Sequence, residues 1–224
     1  MKIKGVIFDM DGVLLDSEKL YVRFWSEAGK ACGYPFERKH ALAIRSLARP
    51  FAIERLEGFF GKGFDYDKVR NKRIELMNSY IKEHGIDAKP FAAETLGFLK
   101  ENGIKIALAT ATAPDRAERY LTRVGLFSYL DAVVCASMVK KGKPEPDIYL
   151  KAASELGLKP EECIAVEDSP NGIISAYRAG CRAVMIPDMD EPDEDTLRLL
   201  FRKGETLRDV RKLVCEELKN CAES

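Results

Sequence analysis

Residues 3–18 read Ile3-Lys4-Gly5-Val6-Ile7-Phe8-Asp9-Met10-Asp11-Gly12-Val13-Leu14-Leu15-Asp16-Ser17-Glu18, an apolar run that stops at two carboxylates and a glycine. The run over 3–8 lacks the polar alternation of a sheet with one wet face, so it reads as a strand buried on both sides, the habit of parallel sheets. Four later runs share that character, at 104–109, 132–136, 163–166 and 183–186. Between them lie segments with helical spacing, at 115–124, 146–156 and 171–179, followed closely by Gly125, Gly157 and Gly180 as helices with glycine C-caps are. Strand and helix alternate, which predicts an α/β fold with a parallel sheet covered on both faces.

The rhythm breaks once. The chain leaves the first strand near Phe8 and reaches the second only at Ile104. Residues 91–101 read as a crossover helix, but the stretch before it needs another explanation, because a structureless loop of that length has no place in a compact domain. It reads as helices over 18–31, 51–60 and 67–83. The expected organisation is therefore a Rossmann-like core formed by residues 1–15 and 86–224, with an α-helical domain of residues 16–85 inserted after the first strand. Phe24 and Trp25, on the first inserted helix, read as core residues. Residues 188–195 carry six acidic side chains in eight and read as a solvated loop ahead of a helix at 196–201, with charge that suits a helix N-terminus.

Composition narrows the function. The 224 residues are 46% apolar and 32% charged, as in a globular protein, and 36 basic side chains balance 36 acidic ones. Without a bulk positive field, neither nucleic acid nor a membrane surface is an expected partner, and any bound anion must be held by a local site. No apolar stretch approaches a membrane span and no signal peptide opens the chain, so a soluble, cytoplasmic monomer is expected. Cys32, Cys135, Cys163, Cys181, Cys215 and Cys221 form no close C-x-x-C pair and read as reduced thiols. His40 and His84 have no ligand cluster beside them and read as packing or surface residues.

Ligands of open α/β sheets bind at the carboxyl ends of the strands, so the residues after each run are the ones that matter. The first run ends in Asp9-Met10-Asp11-Gly12, a carboxylate pair suited to a hard cation such as Mg²⁺. The second ends in Thr110-Ala111-Thr112, hydroxyls and free N–H groups suited to phosphate oxygens. The third is followed by Lys143 between Gly142 and Pro144, a cation on a rigid turn, and the fourth by Glu167-Asp168, a second carboxylate pair. Each feature alone is ordinary, but four of them at strand ends converge on one site.

Taken in order, Asp9-Met10-Asp11-Gly12-Val13-Leu14-Leu15-Asp16-Ser17-Glu18, Thr110, Gly142-Lys143-Pro144-Glu145-Pro146-Asp147 and Glu167-Asp168-Ser169 resemble the four motifs of the haloacid-dehalogenase-like hydrolases. The match is to the phosphatase and β-phosphoglucomutase branch, which carries a small helical cap after the first strand. The resemblance extends over residues 1–190 and implies roles. Asp9 would be the nucleophile that becomes a phosphoaspartate, and Asp11 the acid that protonates the leaving group and later activates water. Thr110 and Lys143 would bind the transferring phosphoryl group, with Thr112 beside them. Asp9, the backbone carbonyl of Asp11, and Asp168 would hold Mg²⁺, with Glu167 as a further metal neighbour. Arg49 matches, by approximate register, a cap arginine that grips a distal phosphate in β-phosphoglucomutases. Tyr21 stands where sugar mutases of the branch carry His, and Ala113 where they carry Lys.

The expected function is a Mg²⁺-dependent phosphatase acting on a small phosphorylated metabolite, a sugar phosphate being the leading class. The alternative is a sugar-phosphate mutase, which hands the phosphoryl group back to a reoriented intermediate. A receiver-type signalling domain, which also gathers acidic residues, Thr and Lys around Mg²⁺, has no room for so large a helical insertion.

Overall fold

The computed structural model describes residues 2–45, 47–189 and 191–222, the last four of these by their backbone only. Strand β1 (Gly5–Phe8) lies at the centre of a six-stranded sheet, between β2 (Lys105–Thr110) and β4 (Cys163–Glu167). Beyond β2 lies β3 (Ala132–Cys135). Beyond β4 lie β5 (Arg182–Met185) and β6 (Arg202–Lys203), and every neighbouring pair is parallel. The fold is the α/β class that the alternation predicts.

The strands divide their side chains with period two, as a pleated strand must. Val6, Phe8, Ile106, Leu108, Ile164 and Val166 enter one apolar cluster, against helices α5 (Ala92–Glu101), α6 (Pro114–Arg123) and α10 (Leu207–Ala222). Ile7, Ala107, Ala109, Ala165 and Ala183 enter the other, against α7 (Asp147–Glu155) and α8 (Pro170–Arg178). The alanines on that second face let both helices approach the sheet closely.

The insertion consists of α1 (Glu18–Ala31), α2 (Arg38–Leu42), α3 (Arg49–Phe60) and α4 (Tyr66–His84). Its own core is aromatic, with Trp25 stacked on Phe36 at 6.1 Å, and buried His40 packs edge-on to Phe36 and Phe60. Leu20, Phe24, Met77 and Ile81 instead join the cluster on the sheet, so α1 and α4 are anchored to it. The chain enters and leaves the insertion side by side. Asp16 N–H donates to the Asp87 carbonyl and Lys89 N–H to the Leu14 carbonyl, both at 2.9 Å, and Leu15 bridges Ala88 in antiparallel fashion.

The structure corrects the reading beyond residue 188. The helix expected at 196–201 is the short α9 (Glu194–Leu197), which starts earlier because the Asp193 side chain accepts from Thr196 N–H at 2.8 Å. The chain then turns into β6, a strand too short to leave a pattern. The acidic run is not wholly solvated, since Asp188 is largely buried in an ion pair with Lys89 at 2.6 Å. Helices α2 and α10 are further elements that the reading passed over. Cys32, Cys135, Cys163, Cys181 and Cys215 are free thiols, and the Cys221 side chain lies outside the described residues. Among the described residues no helix is long and apolar enough to cross a membrane.

Candidate active site

The carboxyl ends of β1, β2 and β4 and the loop after β3 meet at Lys143. Its ammonium donates to Asp9 Oδ1 at 2.6 Å, to the Ala109 carbonyl at 3.1 Å and lies 2.6 Å from Glu167 Oε1. All three of its N–H bonds are thereby engaged by protein groups. Burial pushes the ammonium towards neutrality, but Asp9 and Glu167 outweigh it and hold its pKa above the ordinary value. Asp9 shows the opposite balance: burial, aided by Glu167 and Asp11, lifts its carboxyl to about 8 against the pull of Lys143. Among buried groups desolvation of this kind favours the neutral acid unless enough positive charge is close.

Asp11 lies one turn further out and is held at both oxygens. Ser17 donates to Oδ1 at 2.6 Å and Thr112 to Oδ2 at 2.8 Å. Because the Thr112 hydroxyl gives its proton to Asp11, it accepts from the Tyr21 hydroxyl 3.1 Å away. Burial raises the Asp11 pKa, opposed by Ser17 and Thr112 and, at longer range, by Arg116 and Arg73. Thr110 is fully buried, accepts from Thr112 N–H at 3.0 Å and retains its own hydroxyl proton to donate.

Asp9, Glu167 and Asp168 offer carboxylate oxygens that all lie within 4.8 Å of one another. Glu167 is saturated: Oε1 accepts from Tyr149 at 2.6 Å besides Lys143, and Oε2 from Asp168 N–H at 3.2 Å and Ser169 at 3.5 Å. Asp168 Oδ1 is buried without a hydrogen-bond partner, whereas Oδ2 pairs with the Arg45 guanidinium. Arg45 comes from the insertion and also donates to Glu18 Oε2 at 2.9 Å. Burial lifts the Glu18 carboxyl to about 7 in spite of that contact.

Above these groups a cavity of ≈ 460 Å³ opens between the sheet and the insertion, within the range of small-molecule sites. Asp9, Asp11 and Lys143 form its floor; Trp25, Tyr66 and Arg73 are among the residues that line it from the insertion. The insertion is seated on the rim, where Ala48 N–H donates to the Lys143 carbonyl at 3.1 Å and Asn171 to the Arg45 carbonyl at 3.3 Å.

The model of the haloacid dehalogenase-like hydrolases matches residues 3–180. The chain belongs to this family. The hydrolase is 33% identical over 186 residues to a phosphorylated carbohydrates phosphatase of Thermotoga maritima, a match covering 81% of this chain and 84% of the relative. It is 30% identical over 190 residues to a β-phosphoglucomutase of Bacillus subtilis, covering 81% and 82%. A crystal structure of a hydrolase from Pseudomonas syringae superimposes with a TM-score of 0.84 at 25% identity, covering 95% of this chain and 98% of that one. By enzyme class the protein is a phosphoric monoester hydrolase.

The hydrolase brings Asp9, Asp11, Thr110, Thr112, Lys143, Glu167 and Asp168 together at one end of its sheet. Arg49 stands apart. It lines the cavity, but its guanidinium is bidentate on Asp67, with contacts of 2.6 and 3.3 Å, and both side chains are more than half exposed. Ala113 caps α6, and Trp25 serves two purposes, packing in the aromatic core while lining the cavity. The sequence reading missed Arg45, Arg73 and Arg116 in this hydrolase. Arg73 and Arg116 sit in helices rich in charge and Arg45 in an apolar turn segment, and in neither setting does the sequence separate a buried arginine from a solvated one.

Proposed function

We propose that this hydrolase is a Mg²⁺-dependent phosphatase that cleaves a small phosphorylated metabolite through a phosphoaspartate on Asp9. A phosphorylated carbohydrate is the favoured class, by analogy with the Thermotoga relative. The observation that carries the reading is the buried Asp9–Lys143 contact at 2.6 Å, with Asp11 fixed beside it by two hydroxyls. Phosphoryl transfer needs a positioned nucleophile, positive charge around the transferring group and a proton for the leaving oxygen. One cluster offers all three.

Lys143 holds Asp9 Oδ1, which leaves Oδ2 to attack phosphorus. The Thr110 hydroxyl proton is available to a phosphoryl oxygen. Asp11, its carboxyl raised by burial, keeps a proton for the leaving oxygen and afterwards takes one from the water that attacks the phosphoaspartate. Asp9 and Asp168 would hold Mg²⁺, with the Asp11 carbonyl and Glu167 at its margin. The donor set is hard oxygen throughout, and the unpartnered Asp168 Oδ1 fits a cation ligand. When bound, Mg²⁺ supplies positive charge that offsets repulsion between the Asp9 carboxylate and a phosphate dianion. Glu167, with four protein donors, serves chiefly to hold Lys143.

The test is phosphate release from phosphorylated carbohydrates. Asp9→Asn should lower turnover by ~10³-fold or more, and EDTA should abolish it until Mg²⁺ is restored. Activity within a few-fold of wild type in Asp9→Asn would overturn the covalent route, and full activity in EDTA would remove the metal. The mutase relative supports an isomerase as the second reading, against which Tyr21 and Ala113 stand. Incubation with β-glucose 1-phosphate and a trace of glucose 1,6-bisphosphate decides between them, since glucose 6-phosphate outpacing free phosphate would reverse the assignment.

A further inference from the structure

Beyond Asp11 the cavity wall carries cations that the fold itself does not neutralise. Arg73, from α4, is 5% exposed; Arg116, from the first turn of α6, is 7% exposed. Neither has a carboxylate within 4 Å among the described residues, in a protein where Arg45, Arg49 and Arg182 all have one. Arg73 Nε is buried with no hydrogen-bond partner. The remaining contacts of Arg73 are weak ones: Nη1 lies 3.9 Å from Met77 Sδ, and the guanidinium carbon sits 4.8 Å from the Tyr21 ring centroid and 5.3 Å from that of Trp25. Cation–π contacts of this kind offset only part of the cost of burying a guanidinium. Arg70, one turn before Arg73 on α4, lines the same cavity and adds a third like charge. Burial, Arg116 and Arg70 together depress the Arg73 pKa, as mutual repulsion requires.

The position of this cluster defines what it would meet. Counting outward from Asp9, the contacts run from Asp11 to Thr112, then to the Tyr21 hydroxyl, then to Arg73 over the Tyr21 ring. On the phosphatase reading, Asp11 faces the leaving oxygen. Whatever lies beyond it belongs to the leaving group and not to the transferring phosphoryl.

Resting on that reading, we propose that Arg73 and Arg116 form a second anion subsite, and that the preferred substrate carries a carboxylate or a second phosphate on its leaving group. Arg suits either anion through paired N–H donors. Trp25 and Tyr66 supply apolar walls for the carbon chain between the two anionic ends. Arg49 is not needed for this, being already bound to Asp67.

The experiment compares phosphate release from matched esters: glucitol 6-phosphate, gluconate 6-phosphate and glucitol 1,6-bisphosphate, with p-nitrophenyl phosphate as an ester lacking a second anion. Wild type should favour one or both of the esters that carry a second anionic group over glucitol 6-phosphate by about ten- to a hundredfold in kcat/KM, expressed mainly in KM, as charge-assisted hydrogen bonds would give. The gluconate and bisphosphate arms tell carboxylate from phosphate. In Arg73→Gln and Arg116→Gln the preference ratio should collapse towards one, and Arg73→Lys should restore part of it. Equal kcat/KM across the matched esters in wild type overturns the subsite without any variant having to fold. A ratio unchanged in both Gln variants overturns it as well. The two readings fail differently: hydrolysis of p-nitrophenyl phosphate without preference rejects the subsite alone, whereas no phosphate from any ester rejects the phosphatase.

Discussion

Lys143 is the residue on which the site balances, because it is the cation between two buried carboxylates, Asp9 and Glu167, with 2% of its side chain exposed. Lys143→Met should therefore do two things. It should remove phosphatase turnover, and it should destabilise the fold by about 3–5 kcal/mol, the cost of breaking a buried pair from one side. The sign of the pH dependence follows. Asp9 is already raised to about 8 with the ammonium beside it, and without the ammonium burial raises it further, so the variant's deficit should be smaller at pH 6 than at pH 9. Thermal melting in chelator at both pH values checks this, and an equal deficit at both would mean that Lys143 contributes by packing. Asp9, Asp11, Lys143 and Asp168 were legible in the sequence because each follows an apolar run, so that position in the chain stood for position in space. Arg73 and Arg116 were not, because a helix written in sequence does not say which of its charges face a cavity. Arg45 was hidden for a further reason, since its partners Glu18 and Asp168 are remote from it in the chain and close only after folding.

At the level of elements, the loop after β1 and the start of α8 depend on the absence of a side chain. Gly12 has φ +84°, and a Cβ there would lie 2.4 Å from Asp168 Oδ2. Gly172, in the first turn of α8, would place a Cβ 1.9 Å from the Glu167 carboxyl carbon, which Tyr149 and Lys143 hold in place. Gly172→Ala should accordingly lower the melting temperature and cut activity together, whereas Gly12→Ala adds backbone strain and should chiefly weaken the response of the melting temperature to Mg²⁺. A Gly172→Ala protein that melts like wild type would show that Glu167 is free to move. The sheet was readable because its strands are uninterrupted apolar runs. Strand β6 has two exposed residues and α9 four residues in all, too few for either period to register, so tertiary pairing alone specifies them.

Over the whole molecule, two apolar clusters sandwich the sheet, and the buried thiols report on both faces of it, Cys135 on one and Cys163 and Cys181 on the other. Burial raises Cys163 to about 12 and Cys135 to about 11. A thiol whose pKa is higher folded than unfolded stabilises the fold fully below the unfolded value near 9, and that stability drains away as pH rises towards 11 and 12. Native protein at pH 8 should thus leave Cys135, Cys163 and Cys181 unmodified by a disulfide-exchange reagent, with reaction at these sites following unfolding; rapid labelling of any of the three in the native state would contradict the packing. The hydrogen-bonded pair formed by residues 14–16 and 87–89 has a broader meaning. Because the insertion departs and returns through adjacent rungs of one ribbon, the sheet's own connections close beneath it, and what hangs from the stem meets the core through the packing at the bases of α1 and α4 and the contacts of Arg45 and Ala48. Such a stem is a natural splice point: helices can be lengthened, replaced or exchanged between paralogues while the chemical groups on the strands below keep their register. Selectivity is then free to diverge on a catalytic platform that stays the same.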